Sequence, residues 1–296
     1  MTARRVGRRT VEITHPDRVL FPDDGISKSD LVDYYLGVAP AMLPHLRDRP
    51  LSQHRWPQGI HGEDFWHKQI PGYFPDWIPR VEVATAKGPQ EQVLCNEAAT
   101  LAYLVNQNCI TPHVWTARAD DLHHPDQLIF DLDPPGDDFD PVREGALLLR
   151  GILEDLGLVP FVKTTGSKGL HVVAPLDRRA SYEEVRSFAV RVATLLADRD
   201  DRLTMEVRKA KRRGRVLIDI GRNAYGQTAV PPYAVRARAG APVATPVGWD
   251  EVEGRSLTPR RYTVRNLSRR LAREGDPWAG MGRRRRSLRR AESALA

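Results

Sequence analysis

The stretch of residues 128–135 (LIFDLDPP) constrains the fold more than any other part of the sequence. Its alternation of residue types is typical of a strand, in which side chains i and i+2 lie on the same face. Asp131 and Asp133 are therefore expected to project side by side at a strand end, because the two following prolines cannot continue the hydrogen-bond ladder. Adjacent carboxylates repel each other unless a cation lies between them, and oxygen ligands suit Mg²⁺ or Mn²⁺. Two solvated acids at a strand end remain the alternative.

A third acid interrupts another apolar strand. Asp219 lies within Val216–Ile220, and burial of a charge is costly unless the charge is compensated. A metal ion shared with Asp131 and Asp133 would provide that compensation. A salt bridge to a neighbouring arginine is the alternative.

The loop of residues 164–171 (TTGSKGLH) has the chemistry of a phosphate site. Its two glycines allow backbone amides to approach an anion closely, and Ser167, Lys168 and His171 add donors and charge. The spacing is not that of a P-loop, which has more residues between its glycines and a helix after the lysine. A tight hairpin with polar side chains is the alternative, but the density of donors favours phosphate binding.

Two features near the N-terminus indicate contact with nucleic acid. Arg18 and Lys28 flank a loop that leads into a helix beginning near Ser27, and free amides at a helix start attract anions. The adjacent aromatic residues Phe65 and Trp66 are able to stack on unpaired bases. Ordinary surface charges and aromatic residues at the rim of a core are the respective alternatives.

The charge distribution favours a polyanionic partner. The chain carries 45 basic and 38 acidic residues, but 13 arginines and only 3 acids lie from Arg255 onward, so the remainder is slightly acidic. Residues 208–215 form a further basic loop suited to a phosphate backbone. A hydrophobic fraction of 41% excludes a disordered chain.

Composition also predicts the character of the two chain ends and the compartment. The length allows one large domain or two small ones, and we expect a basic extension over residues 1–9 and a basic, disordered tail over residues 276–296. Cys95 and Cys109 have neither disulfide-rich nor zinc-site spacing, which indicates a reducing compartment. The sequence contains no apolar run of membrane-spanning length and no export signal, so we expect a cytoplasmic protein associated with the nucleoid.

Several motifs in one order resemble the polymerase domain of bacterial DNA ligase D, a primase-polymerase of the archaeo-eukaryotic type. The resemblance extends over roughly residues 10 to 270 and implies one primase-polymerase domain over residues 10–275. It rests on residues 131–135 (DLDPP), 166–171 (GSKGLH), 218–223 (IDIGRN) and 235–246 (VRARAGAPVATP), with residues 15–22 (HPDRVLFP) and Lys28 as further matches.

This resemblance implies an α/β fold: an RRM-like palm of mainly antiparallel strands with flanking helices, and an N-terminal module packed on it. It implies a DNA-directed polymerase, or nucleotidyltransferase, that adds NTP or dNTP at gaps and double-strand breaks during non-homologous end joining. It also implies partners in this DNA repair pathway: DNA ends, a separate DNA ligase and a Ku-like end-binding protein.

The resemblance assigns roles to individual residues. Two Mn²⁺ or Mg²⁺ ions would be held by Asp131, Asp133 and Asp219, which are the catalytic residues. The nucleotide-binding residues would be Ser167, Lys168, Gly169, His171, His113, which lies near the sugar, and Arg236. Lys28 and Arg18 would bind the 5′-phosphate of a downstream strand, and Phe65 and Trp66 would stack on template bases.

Two positions depart from the family pattern. Arg18 stands where a lysine is expected, and Trp66 stands where a second phenylalanine is expected. Both changes keep the charge or the aromatic face but alter the geometry. A two-metal nuclease, a Mn²⁺-dependent glycosyltransferase and a non-catalytic DNA-end-binding protein are the alternative functions. The 164–171 loop argues against the nuclease, the basic segments against the glycosyltransferase, and the three acids against the non-catalytic protein.

Overall fold

The computed structural model describes residues 1–295, which form two compact units. Unit 1 consists of Met1–Asp120, Thr228–Ala244 and Tyr262–Gly275; unit 2 consists of Asp121–Gln227, Thr245–Arg261 and the residues from Asp276 onward. Both units are discontinuous in sequence, and the single domain predicted over residues 10–275 contains parts of both. Changes of composition along the chain do not mark the points at which it passes from one unit to the other.

The strands are β1 (Thr2–Val6), β2 (Arg9–Ile13), β3 (Val19–Phe21), β4 (Ile26–Ser27), β5 (Pro50–Arg55), β6 (Phe65–His67), β7 (Arg80–Thr85), β8 (Gly88–Leu94), β9 (Cys109–Trp115), β10 (Gln127–Asp133), β11 (Phe161–Thr164), β12 (Leu170–Pro175), β13 (Leu203–Thr204), β14 (Val216–Asp219), β15 (Thr228–Ala229) and β16 (Pro246–Val247). The α-helices are α1 (Lys28–Leu46), α2 (Ala98–Asn106), α3 (Asp140–Asp155), α4 (Tyr182–Arg199), α5 (Trp249–Glu253), α6 (Leu267–Glu274) and α7 (Leu288–Leu295). Short 3₁₀ helices span Pro22–Asp24, Lys209–Lys211, Gly221–Asn223 and Met281–Arg284. Within residues 1–295, no helix has the length and apolarity needed to cross a membrane.

Unit 1 contains a sheet with strand order β15-β9-β5-β8-β7, in which β6 also pairs with β5. Helix α1 packs against α2. The helix start predicted at Ser27 is confirmed, because the Ser27 hydroxyl accepts from the Asp30 amide and the Asp30 carboxylate accepts from the Ser27 amide. The predicted N-terminal extension is part of the hairpin formed by β1 and β2.

Unit 2 is built on a six-stranded sheet with the order β13-β14-β10-β12-β11-β16. Neighbouring strands are antiparallel except β13 and β14, which are parallel. Helices α3 and α4 pack against β10, which is buried along most of its length because Leu128, Phe130 and Leu132 belong to the core. This mixed α/β architecture with antiparallel strands and flanking helices is the fold class predicted from the sequence.

The C-terminal segment differs from the predicted disordered tail. The Trp278 side chain is 2% exposed, and its indole N–H donates to the Val162 carbonyl oxygen at 2.9 Å. The Arg286 amide donates to the Pro175 carbonyl oxygen, and Leu288 is buried on α7. One buried indole and a few backbone hydrogen bonds order this segment, although its arginine content suggests a solvated chain.

Candidate active site

The strand register brings the three predicted carboxylates to one face of the unit 2 sheet. Asp131 on β10 lies directly opposite Asp219 on β14 and opposite His171 on β12. His171 in turn lies opposite Lys163 on β11. Directly opposed residues share a face of a sheet, and Asp133, two residues after Asp131, lies on that face as well. We call Asp219, Asp131, His171 and Lys163 the polar row, since they follow one another across four strands.

The carboxylates interact strongly with one another. Burial, together with the charges of Asp131 and Asp219, raises the pKa of Asp133 to about 7. Burial opposes ionisation of Asp131 as well, but His171, Arg222 and Lys163 lower the pKa of Asp131 below its usual range. Asp131 is therefore ionised at neutral pH while Asp133 is near its titration midpoint. Such a cluster is stabilised by any cation that enters it.

His171 is the uncharged member of the row. Its side chain is 2% exposed. Burial and the nearby Lys163 ammonium lower the pKa of His171 to about 4, against the attraction of Asp131. The imidazole is therefore neutral at physiological pH and is able both to donate and to accept a hydrogen bond.

The acids fit a hard divalent cation. The Oδ1 atom of Asp131 is buried and has no hydrogen-bond partner, while its Oδ2 atom lies 3.3 Å from His171 Nε2 and 3.6 Å from the Arg222 guanidinium. The Oδ1 atom of Asp219 accepts from the Gly221 amide at 2.7 Å. Asp131 and Asp219 thus each face a donor of the protein, and in residues 1–295 no three His, Cys, Asp or Glu side chains converge into a metal cage. The available ligands are carboxylate oxygens, and Asp131 Oδ1 keeps its acceptor capacity for an ion.

The predicted phosphate loop is a closed turn between β11 and β12. The Thr165 hydroxyl accepts from the Ser167 and Gly169 amides at 3.3 and 3.2 Å. A Cβ atom on Gly169 would lie 1.9 Å from the Leu132 carbonyl oxygen and 3.2 Å from Asp133 Oδ1. Glycine is therefore required here, and its backbone brings the loop directly beside the carboxylates.

A cleft of about 370 Å³ opens beside this loop. The Lys168 ammonium lies 3.1 Å from the Asp137 carboxylate, and both side chains are exposed. The Arg260 guanidinium donates to the Ser167 carbonyl oxygen at 2.8 Å. The cleft is lined by Gly136, Asp137, Ser167, Lys168, Thr258, Pro259 and Arg260. An anionic ligand of Lys168 would compete with Asp137 for the ammonium group.

The remaining predicted nucleotide and template residues belong to unit 1. Phe65 and Trp66 lie on β6 and are 42% and 47% exposed, as stacking residues must be. His113 lies on β9, with its ring 4.7 Å from the Trp66 ring at an angle of 67°. Arg236 lies in an irregular segment, where its amide donates to the Pro242 carbonyl oxygen. The roles of His113 and Arg236 in nucleotide binding stay predictions.

Lys28 and Arg18 belong to a cationic cluster in unit 1. Lys28 is only 1% exposed and its ammonium donates to the Asn106 carbonyl oxygen at 3.0 Å. Burial and the charges of Arg18 and Arg55 lower the pKa of Lys28 to about 8. Arg18 is exposed and donates to the Pro57 carbonyl oxygen. Concentrated positive charge of this kind is suited to a phosphate dianion.

Three basic residues of these sites were not predicted from the sequence: Lys163, Arg222 and Arg55. Lys163 is 1% exposed, and its position in the strand Phe161–Thr164 is the only signal that could have identified it. Arg222 lies three residues after Asp219, and Arg55 is the last residue of β5, directly before Trp56. Neither position distinguishes its residue from the other arginines of the sequence.

The chain is similar to known proteins over most of its length. Residues 27–278 match the family model described as LigD, primase-polymerase domain. The chain is 36% identical over 276 residues to the multifunctional non-homologous end joining protein LigD of Mycobacterium bovis, 34% identical over 286 residues to that of Pseudomonas aeruginosa, and 30% identical over 271 residues to the bifunctional LigD of Bacillus subtilis. These matches cover 90%, 94% and 90% of this chain but only 36%, 33% and 43% of the relatives.

A solved structure is similar over its whole length. The polymerase domain from Mycobacterium tuberculosis ligase D, in complex with DNA, superposes with a TM-score of 0.87 at 33% sequence identity. The match covers 93% of this chain and 99% of that one. The fold class and the polymerase class of enzyme predicted from the sequence are thereby confirmed. The chain belongs to the LigD primase-polymerase domain family.

Proposed function

We propose that this chain adds nucleotides to 3′ ends at DNA gaps and double-strand breaks, as a metal-dependent polymerase of non-homologous end joining. The observation that carries the proposal is the contact between the Gly169 backbone and β10 beside Asp133, which unites a cluster of acids with a phosphate-type loop. A nuclease would need the acids but not a loop suited to a triphosphate.

The acids and the loop have separate roles. Asp131, Asp133 and Asp219 would hold two Mn²⁺ or Mg²⁺ ions, and bound ions of this kind activate a 3′-hydroxyl and neutralise a departing pyrophosphate. Ser167 and Lys168 would bind the triphosphate, and Gly169, whose amide donates to the Thr165 hydroxyl, would allow the loop to approach it closely. Neutral His171, which lies opposite Asp131 in the sheet, would offer the triphosphate a further hydrogen bond. His171, Arg222 and Lys163 lower the pKa of Asp131 and so keep this carboxylate ionised in the absence of substrate.

The residues of unit 1 would bind the DNA and the sugar. Phe65 and Trp66 present exposed rings to unpaired template bases. Lys28 and Arg18 would bind the 5′-phosphate of the downstream strand. His113 and Arg236 would contact the sugar and the triphosphate. A separate DNA ligase and a Ku-like end-binding protein would be its partners in end joining, and the DNA substrate would associate the protein with the nucleoid.

The test is extension of a labelled primer in a gapped duplex with a 5′-phosphate, supplied with rNTP or dNTP and either Mn²⁺ or Mg²⁺. Asp131→Ala and Asp219→Ala should each reduce extension by roughly 100-fold or more, since electrostatic stabilisation is lost, while a gel-shift assay shows DNA binding retained. The matched control is Asp155→Ala, which removes an exposed acid at the end of α3. Undiminished extension by the two variants would contradict the assignment, and shortening of the labelled strand would identify a nuclease.

A further inference from the structure

The two exposed aromatic residues of β6 each have their own support on the neighbouring strand. In the pairing of β5 with β6, Arg55 lies opposite Phe65 and His54 lies opposite Trp66. The Arg55 guanidinium lies 5.2 Å from the centre of the Phe65 ring, within the range of a cation–π contact. The His54 ring lies 4.2 Å from the Trp66 ring with only 16° between the planes, which is a stacked arrangement.

Trp66 needs such a support because its strand is short. Strand β6 has three residues, and Trp66 is 47% exposed, so packing into a core does not fix its ring. An indole that exchanges between rotamers would lose conformational entropy each time a base stacked on it. A ring held in one orientation before binding avoids that cost.

His54 is itself held on two sides. Its Nε2 atom donates to the Asp64 carboxylate at 2.5 Å, which fixes the rotation of the imidazole. Its ring also contacts Trp56, with centres 3.8 Å apart, and Trp56 is 8% exposed. The exposed indole of Trp66 is thus connected through one imidazole to a buried indole. The His113 ring completes the contact by meeting Trp66 edge to face.

We propose that His54 is a positioning residue, which together with Asp64 holds the Trp66 ring in the orientation that stacks on an unpaired template base. The inference rests on the template-stacking role proposed for Trp66. It also gives a physical reason for a tryptophan where the family pattern leads one to expect phenylalanine, because an indole has the larger face to overlap with both an imidazole and a base.

The experiment measures binding of a primer–template whose first unpaired template base is 2-aminopurine, since stacking on an indole quenches its fluorescence. His54→Ala should weaken both the quenching and the affinity by roughly three- to ten-fold, as expected for one aromatic pair. His54→Phe should restore most of the loss because it returns a ring opposite Trp66, and Asp64→Asn should have an intermediate effect. In extension assays the change should appear in KM for the template and not in kcat.

A double-mutant cycle separates positioning from general damage to the fold. In a Trp66→Ala background, His54→Ala should cause no further loss of quenching or affinity. An equal loss in both backgrounds, or wild-type quenching by His54→Ala, would overturn the proposal. The binding assay contains no nucleotide, so it tests the role of His54 even if the chain fails to extend a primer. A failure to extend would count against the proposed function alone. If Trp66→Ala itself quenches like the wild type, the stacking role and this inference are both refuted.

Discussion

Replacing Asp133 by asparagine should stabilise the metal-free protein at neutral and alkaline pH. Burial and the charges of Asp131 and Asp219 raise the pKa of Asp133 to about 7, whereas an unfolded chain has an aspartate pKa near 3.8. The unfolded state therefore loses its proton first, and each pH step between these two values favours unfolding. The penalty begins near pH 4, grows until about pH 7 and is constant above it.

The magnitude follows from the difference between the two pKa values. A difference of about 3 pH units corresponds to about 4 kcal/mol at most, at about 1.4 kcal/mol per unit. Asparagine has a similar shape but no charge, so Asp133→Asn should raise the free energy of unfolding by about 1–4 kcal/mol at pH 8 and by less than about 1 kcal/mol at pH 4. The same burial and the same neighbouring charges that make ionised Asp133 unfavourable in the metal-free protein also make this cluster attractive to a cation.

The assay is urea unfolding in EDTA at several pH values between 4 and 8. Asp137→Asn, which removes a neighbouring exposed acid, is the matched control and should leave the pH profile unchanged. Addition of Mn²⁺ or Mg²⁺ at pH 8 should stabilise the wild type more than Asp133→Asn, because binding to the folded state shifts the equilibrium. Equal stability of wild type and Asp133→Asn in EDTA at pH 8 would refute the idea that burial and the neighbouring carboxylates raise the pKa of Asp133.

Three further predictions concern single residues. Burial and the charges of Arg18 and Arg55 lower the pKa of Lys28 to about 8, so the preference for a gapped duplex with a 5′-phosphate over one with a 5′-hydroxyl should decline as the pH rises from 7 to 9. Affinities measured for both duplexes should show this decline in the wild type but not in Lys28→Arg, whose charge does not titrate. A preference that is independent of pH in the wild type would mean that Lys28 does not bind the 5′-phosphate. Asp137→Asn should release Lys168 from its exposed ion pair and lower KM for the nucleotide by roughly two- to five-fold, and an unchanged KM would mean that Asp137 does not compete with the substrate. Gly169→Ala should cost about 1–3 kcal/mol of stability in urea, because its Cβ would overlap the Leu132 carbonyl oxygen; Gly136→Ala, which meets nothing within 4 Å, is the control, and equal stabilities of the two variants would show that the loop is free to move away from β10.

The sequence was informative where a pattern is local. The strand that carries Asp131 and Asp133 and the capped start of α1 follow from alternation, prolines and a Ser–Asp pair within a few residues. The polar row is not local: its four residues lie on strands whose order in the sheet, β14-β10-β12-β11, differs from their order in the chain. Spacing within a strand can predict that Asp131 and Asp133 share a face, but not that Lys163 comes to lie opposite His171.

Burial of basic residues was the other difference. Lys28 is predicted from the sequence to bind a 5′-phosphate and Lys163 is predicted to have no role, yet both side chains are only 1% exposed. Lysines are seldom buried unless they are paired, so composition gives no reason to expect this. In the C-terminal segment the arginine content predicts disorder, whereas burial of the Trp278 side chain and its hydrogen bond to Val162 order the segment.

The discontinuity of the two units has a consequence for synthesis of the chain on the ribosome. The sheet of unit 1 receives its edge strand β15 only when residues 228–229 emerge, and unit 2 receives β16 later still, from residues 246–247. Neither unit can finish folding before most of the chain has been translated, although domains usually fold as units, the N-terminal one first. Until then the unpaired sheet edges of both nascent units are exposed to other chains, so slower translation of residues 228–275 would prolong the period in which aggregation is most favourable.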